Sequence, residues 1–212
     1  MKKLTILIFS ILFTLSTTAF AGGMIGVKYG NGDLEGNSKS YTAGSTAYAA
    51  QSGSKDNEFG AIFAEVNVKE SPISVGLEYV PFDADISLNG DASGVSANVS
   101  DYTTLYALAM HELNEVSVYA KLGYSMADIG TIKNNDPTTT AITAASDSLE
   151  GMMYGAGIQS KELPFGLVAR AEYTFTEFDD ISVTTTSNGS AAVKKTADGD
   201  LTTLTISLAK SF

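Results

Sequence analysis

From Gly22 onward apolar side chains recur at every second position, the spacing of a strand whose two faces meet different surroundings. Ile25, Val27 and Tyr29 alternate with Gly26, Lys28 and Gly30, and Ile62, Ala64, Val66 and Val68 alternate with Phe63, Glu65 and Asn67. Val75, Leu77 and Tyr79 alternate with Ser74, Gly76 and Glu78. A fourth strand runs from about Tyr102 to His111, with its facing left open. Val116, Val118, Ala120, Leu122 and Tyr124 alternate with Ser117, Tyr119, Lys121 and Gly123; Met152, Tyr154, Ala156 and Ile158 alternate with Met153, Gly155, Gly157 and Gln159. Leu167, Ala169, Ala171, Tyr173 and Phe175 then alternate with Val168, Arg170, Glu172 and Thr174. Leu204, Ile206, Leu208 and Phe212 share a face opposite Thr205, Ser207 and Ala209. Helical spacing is hard to find, and the sum is about eight strands, an even number.

The connections alternate in length. Lys69-Glu70-Ser71-Pro72, Glu112-Leu113-Asn114-Glu115 and Lys161-Glu162-Leu163-Pro164 read as tight turns. Between them lie long stretches, roughly 31–58, 83–100, 128–148 and 179–200, rich in Gly, Ser, Thr, Asn and Asp and read as loops. Short turns on one side and long loops on the other is the arrangement of a membrane-spanning barrel, turns to the periplasm and loops outward. Lys69-Glu70-Ser71-Pro72, Glu78-Tyr79 and Asp85-Ile86-Ser87 recur in order as Lys161-Glu162-Leu163-Pro164, Glu172-Tyr173 and Asp180-Ile181-Ser182. Either two hairpins share an ancestor, or similar turns select similar residues.

The first residues form a separate object. Lys2 and Lys3 precede the apolar run Leu4 to Leu15, and Ala19-Phe20-Ala21 supplies a small-x-small site, so residues 1–21 read as a secretory signal peptide and 22–212 as the barrel domain. Beyond it, no stretch reaches the roughly 20 apolar residues of a membrane helix. The 212 residues contain no Cys and no Trp, which removes disulfides, thiol chemistry and cysteine-ligated metals. A formal charge of -11 without any Lys/Arg cluster argues against nucleic acid as a partner.

In a membrane barrel the apolar face points to lipid and the polar face to the lumen, the inverse of a soluble protein. The outer strand ends carry Tyr29, Phe59, Tyr79 with Phe82, Tyr102, Tyr124, Tyr154, and Phe175 with Phe178, the expected aromatic girdle at one interface. Phe165 and Phe212 fall at the opposite end. On the inner face lie Lys28, Lys121 and Arg170 against Glu65, Glu78 and Glu172. A barrel of about eight strands is just wide enough for side chains to fill, so these charges are expected to pair as a plugged, polar core.

These residues resemble the small OmpA/OmpX-like outer-membrane β-barrel domains. The resemblance rests on Tyr119-Ala120-Lys121-Leu122-Gly123-Tyr124, Tyr154-Gly155-Ala156-Gly157-Ile158 and Ala169-Arg170-Ala171-Glu172-Tyr173, none specific alone. It implies an all-β fold, an eight-stranded antiparallel up-and-down transmembrane β-barrel in the outer membrane. It further implies that the last strand, ending in Phe212, is the signal presented to the outer-membrane assembly machinery. No peptidoglycan-binding domain follows the barrel, so a cell-wall tether is not expected.

Catalysis is not expected. His111 is the sole histidine and sits at the turn end of its strand, away from any outer-leaflet Ser-His-acid site. Asp179-Asp180 and Asp198 with Asp200 match no defined calcium loop, so no metal or cofactor is assigned; the acidic excess could favour cation-bridged contact with lipopolysaccharide. Thr138-Thr139-Thr140 and Thr184-Thr185-Thr186 are hairpin tips or recognition surface. Gly151, Gly155 and Gly157 precede no helix and make no nucleotide site. The expected role is structural or surface-interactive, with membrane lipid, lipopolysaccharide and an unidentified surface ligand at the loops as partners. A small pore, motivated by inward Gly and Ser, is the alternative; a soluble lipid-binding barrel is a more distant one, opposed by the missing Trp and by Phe212.

Overall fold

A computed structural model describes residues 20–81, 83–88, 95–130, 133–134, 139–144, 148–187 and 191–212. The signal peptide, Phe82 and Thr138 lie outside these residues, apart from the peptide's last two positions, where the first strand begins. The strands are β1 (Phe20–Ser38), β2 (Gln51–Val68), β3 (Ile73–Val80), β4 (Val95–Glu112), β5 (Val116–Ile129), β6 (Ser148–Ser160), β7 (Leu167–Ser187) and β8 (Val193–Ser211). Each pairs antiparallel with its neighbour in sequence, and β8 pairs back onto β1, so eight strands close in a ring. Closure removes the sheet edges that would leave backbone groups unpaired in lipid. At the seam Met24 faces Ser211 and Gly26 faces Ala209, and the Gly23 and Phe212 backbones exchange two hydrogen bonds of 3.0 Å.

Alternation sets the faces as the sequence pattern requires, with apolar side chains outward. Val27, Leu122, Leu204 and Ile206 are exposed on the outer wall at 59%, 57%, 63% and 64%, whereas Lys121 and Arg170 inside are 4% and 6% exposed. This inversion separates the protein from a soluble lipid-binding barrel, whose apolar face encloses its ligand. Leu77 and Ala64 are buried on that wall, and Leu77 is fully covered where the register sets it between Ala64 and Leu105.

The facing of β4 is settled by a bulge. Its register against β5 shifts between Ser100 and Thr103, and Asp101 adopts a left-handed φ of 54°. Beyond the bulge Tyr106 and Leu108 are buried inside while Leu105 is exposed outside, so both faces are apolar and alternation alone could not show the direction.

The stretches read as loops are largely strand. β1 continues to Ser38 and β2 starts at Gln51, and the segment between them holds a small hairpin, Tyr41–Ala43 with Thr46–Tyr48, whose tyrosine rings stack at 4.8 Å. Ala84–Leu88 pairs with β4, Lys133–Asn134 also pairs with β4, and Thr139–Ala144 pairs with the far end of β7. The ends of β7, β8, β1 and β2 thus lie side by side as one sheet rising beyond the apolar wall: Ile181 faces Ala197, Ala197 faces Ser38, and Ser38 faces Gln51. At 51–56 every residue is exposed, so there Ser, Gly and Lys hold the ladder without any apolar alternation.

Candidate functional site

Lys28, Glu78, Lys121 and Glu172 project from β1, β3, β5 and β7, one from every second strand, and meet on the barrel axis as a closed cycle of alternating charge. Lys28 Nζ donates to Glu78 Oε2 at 2.5 Å and to Glu172 Oε1 at 2.6 Å; Lys121 Nζ donates to the same two oxygens at 3.1 and 3.0 Å. Toward the short turns, Arg170 clasps Glu65 with two bonds of 2.9 Å. Its Nε donates to Gln159 Oε1 at 2.6 Å. The six charges are all buried, and charge-assisted pairing is the condition for holding them out of water.

Two tyrosines that the sequence pattern did not assign to this network complete it. Tyr106 donates to Glu65 Oε2 at 3.2 Å and Tyr119 to Glu172 Oε2 at 3.0 Å. Lys121 Nζ also lies 4.0 Å from the Tyr106 ring centroid, a cation–π contact. Each ring fills the place of a missing side chain: Tyr106 lies opposite Gly76 and Tyr119 opposite Gly157, and a Cβ on either glycine would come within 2.3 Å of the ring. Two of the inward glycines, Gly76 and Gly157, are therefore seats for tyrosine rings. No buried side-chain N or O among the described residues lacks a partner.

Of the residues placed in the girdle, Tyr29, Tyr79, Tyr124, Tyr154 and Phe175 face outward. Tyr29 donates its hydroxyl to Glu58 at 2.8 Å, Tyr79 to Asp101 at 2.8 Å and Tyr124 to Glu150 at 2.6 Å, so each ring lies on the wall with its polar end tied to a carboxylate. Phe59 and Tyr102 do not belong to it. Phe59 turns inward beside Gly32, because its parity on β2 is that of Phe63 and Glu65. Tyr102 is carried inside by the Asp101 bulge, where its hydroxyl donates to Ser125 Oγ at 3.0 Å and its ring meets Phe178 edge-on. Phe178 is likewise inward. The lumen is not polar throughout: Ala127, Leu149 and Phe178, with Leu34 and Leu201, form an apolar cluster toward the long connections.

Phe165 and Phe212 are exposed at the short-turn end, and His111 lies there too, opposite Val118. At the other end, Glu177, Asp200 and Glu35 stand in one lateral row across β7, β8 and β1. Lys39 nearby pairs with Asp180 at 2.5 Å, and that hydrogen bond holds its ammonium above the ordinary lysine value. Among the described residues no group of His, Cys, Asp or Glu is placed to hold a metal ion.

No protein-family model matches the sequence, and no curated protein matches it. Solved structures do. The outer membrane protease OmpT from Escherichia coli is 12% identical with a TM-score of 0.53, over 94% of this chain and 99% of that one. Ail, the attachment invasion locus protein of Yersinia pestis, solved with the heparin analogue sucrose octasulfate, is 14% identical with a TM-score of 0.45, over 91% and 100%. Neisserial surface protein A is 11% identical with a TM-score of 0.44, over 87% and 97%. At these identities the likeness is one of fold, and the fold is the outer-membrane β-barrel.

Proposed function

We propose that this chain, exported by residues 1–21 and built as an outer-membrane β-barrel, is an integral outer-membrane scaffold that presents a sheet to the cell's surroundings. Its role in this reading is structural or surface-interactive and non-catalytic. The observation that carries it is the pairing of a lipid-facing apolar wall with a charge-neutral interior: four charges cancel in a cycle and two more in the Arg170–Glu65 clasp. Such a filling anchors the strands to one another and leaves neither an unpaired acid or base for chemistry nor a row of sites for ions.

The short turns face the periplasm in this proposal, and the sheet formed by the ends of β7, β8, β1 and β2 stands outside, where a surface ligand would bind. Tyr29, Tyr79, Tyr124, Tyr154 and Phe175 mark the outer boundary with lipid and lipopolysaccharide. Phe212, whose backbone closes the seam against Gly23, is the residue offered to the assembly machinery. Fractionation and gel migration test the reading: the protein should be recovered in the outer membrane and migrate differently before and after heating. A freely soluble periplasmic product would overturn it, and reproducible conductance from folded protein in planar bilayers would replace the scaffold with a pore.

A further inference from the structure

The lumen is filled unevenly. Between the charge cycle and the apolar cluster lies a cavity of about 130 Å³ whose floor is Lys121 with Glu78 and Glu172. Its wall is carried by Phe59, Tyr102, Met153, Phe178 and Leu201. A water-filled barrel end has no need of such a lining, and an apolar void of roughly 150 Å³ in another protein stays dry and takes up benzene.

Three features define what would occupy it. The volume is that of a single ring. The floor's charges are all mutually paired, so an incoming ion would find no counter-charge and would lose its hydration without return. The polar side chains of the wall are Asn57, Thr104, which is already bonded to Ser125, Tyr102, whose hydroxyl also donates to Ser125, and the Thr174–Thr203 hydroxyl pair at 2.7 Å, which keeps lone pairs for a further donor. The charge cycle closes the cavity toward the short turns, so entry is from the long-connection end. We infer that the upper lumen is a binding site for a neutral, single-ring hydrophobic molecule bearing one hydroxyl, held by the aromatic wall and donating to the Thr174–Thr203 pair. This goes beyond the scaffold role, and its failure would leave that role standing.

The test uses the full barrel in lipid nanodiscs, p-cresol as the probe and the methionine methyl resonances as reporters. Met153 lines the cavity, whereas Met152 next to it is exposed on the outer wall and registers probe dissolved in lipid. The Met153 signal should shift saturably, while Met152 shifts linearly. Gly32→Leu should abolish the saturable shift, since a Cβ there already comes to 3.2 Å from Leu201 and 3.6 Å from Phe59 and the longer side chain must occupy the void. Leu201→Phe, which fills the same space from β8, serves if Gly32→Leu does not fold. Thr203→Val should weaken p-cresol by about tenfold and leave toluene unchanged, the mark of one hydroxyl contact. Parallel linear shifts at both methionines, or unchanged saturable binding in the folded, filled variants, would overturn the inference.

Discussion

Arg170 and Glu65 meet across the lumen with two parallel hydrogen bonds, Nη1 to Oε2 and Nη2 to Oε1, each 2.9 Å. They come from β7 and β2, strands that are not neighbours in the ring, so the pair ties opposite walls together. Removing one partner leaves the other as a buried, uncompensated charge. Arg170→Met should therefore destabilise the folded barrel by about 3–5 kcal/mol, and adding Glu65→Leu should restore most of that loss. Urea midpoints of the refolded barrel in micelles measure both; a single variant as stable as the parent would show that the pair does not hold the walls.

Gly157 and Tyr119 make a second relationship open to mutation. A Cβ on Gly157 would stand 2.3 Å from the Tyr119 ring, so Gly157→Val must displace that ring and break its bond to Glu172. The expected cost is about 1–3 kcal/mol, as for other overpacked interiors. Tyr119→Ala should cost less in the Gly157→Val background than alone, because the clash is relieved. Additive effects in this double-mutant cycle would mean the ring is not seated on the glycine.

How far the sequence could be read depended on whether the two faces of a strand meet different surroundings. Within the membrane they do, and the six lumen charges and most outward apolar residues are legible from parity alone. Two devices hid the rest. The bulge at Asp101 changes parity in mid-strand and brings Tyr102 and Tyr106 inside, where Tyr106 reaches Glu65. Phe59 has the parity of Phe63 and Glu65, an available signal that its place near the strand's outer end obscured. Beyond the wall the apolar period vanishes, and strand ends such as 51–56, exposed at every position, read as loops.

The orientation in the membrane can be checked chemically, since the chain has no native cysteine to interfere. Ser54, in the exposed end of β2, and Asn114, in the tight turn between β4 and β5, mark the two ends. On intact cells a membrane-impermeant maleimide should label Ser54→Cys and spare Asn114→Cys until the outer membrane is permeabilised. The reverse labelling would invert the topology.

The most direct examination of the barrel's inside-out character uses its lack of tryptophan. Ile206→Trp places a single indole on the outer wall of β8, and Tyr106→Trp places one inside, each reported by its own fluorescence after folding into bilayers with bromine-labelled acyl chains. Strong bromine quenching at 206 with little at 106 is the result expected of apolar side chains that touch lipid around an ion-paired interior. An unquenched indole at 206, or equal quenching at both positions in folded protein, would contradict it.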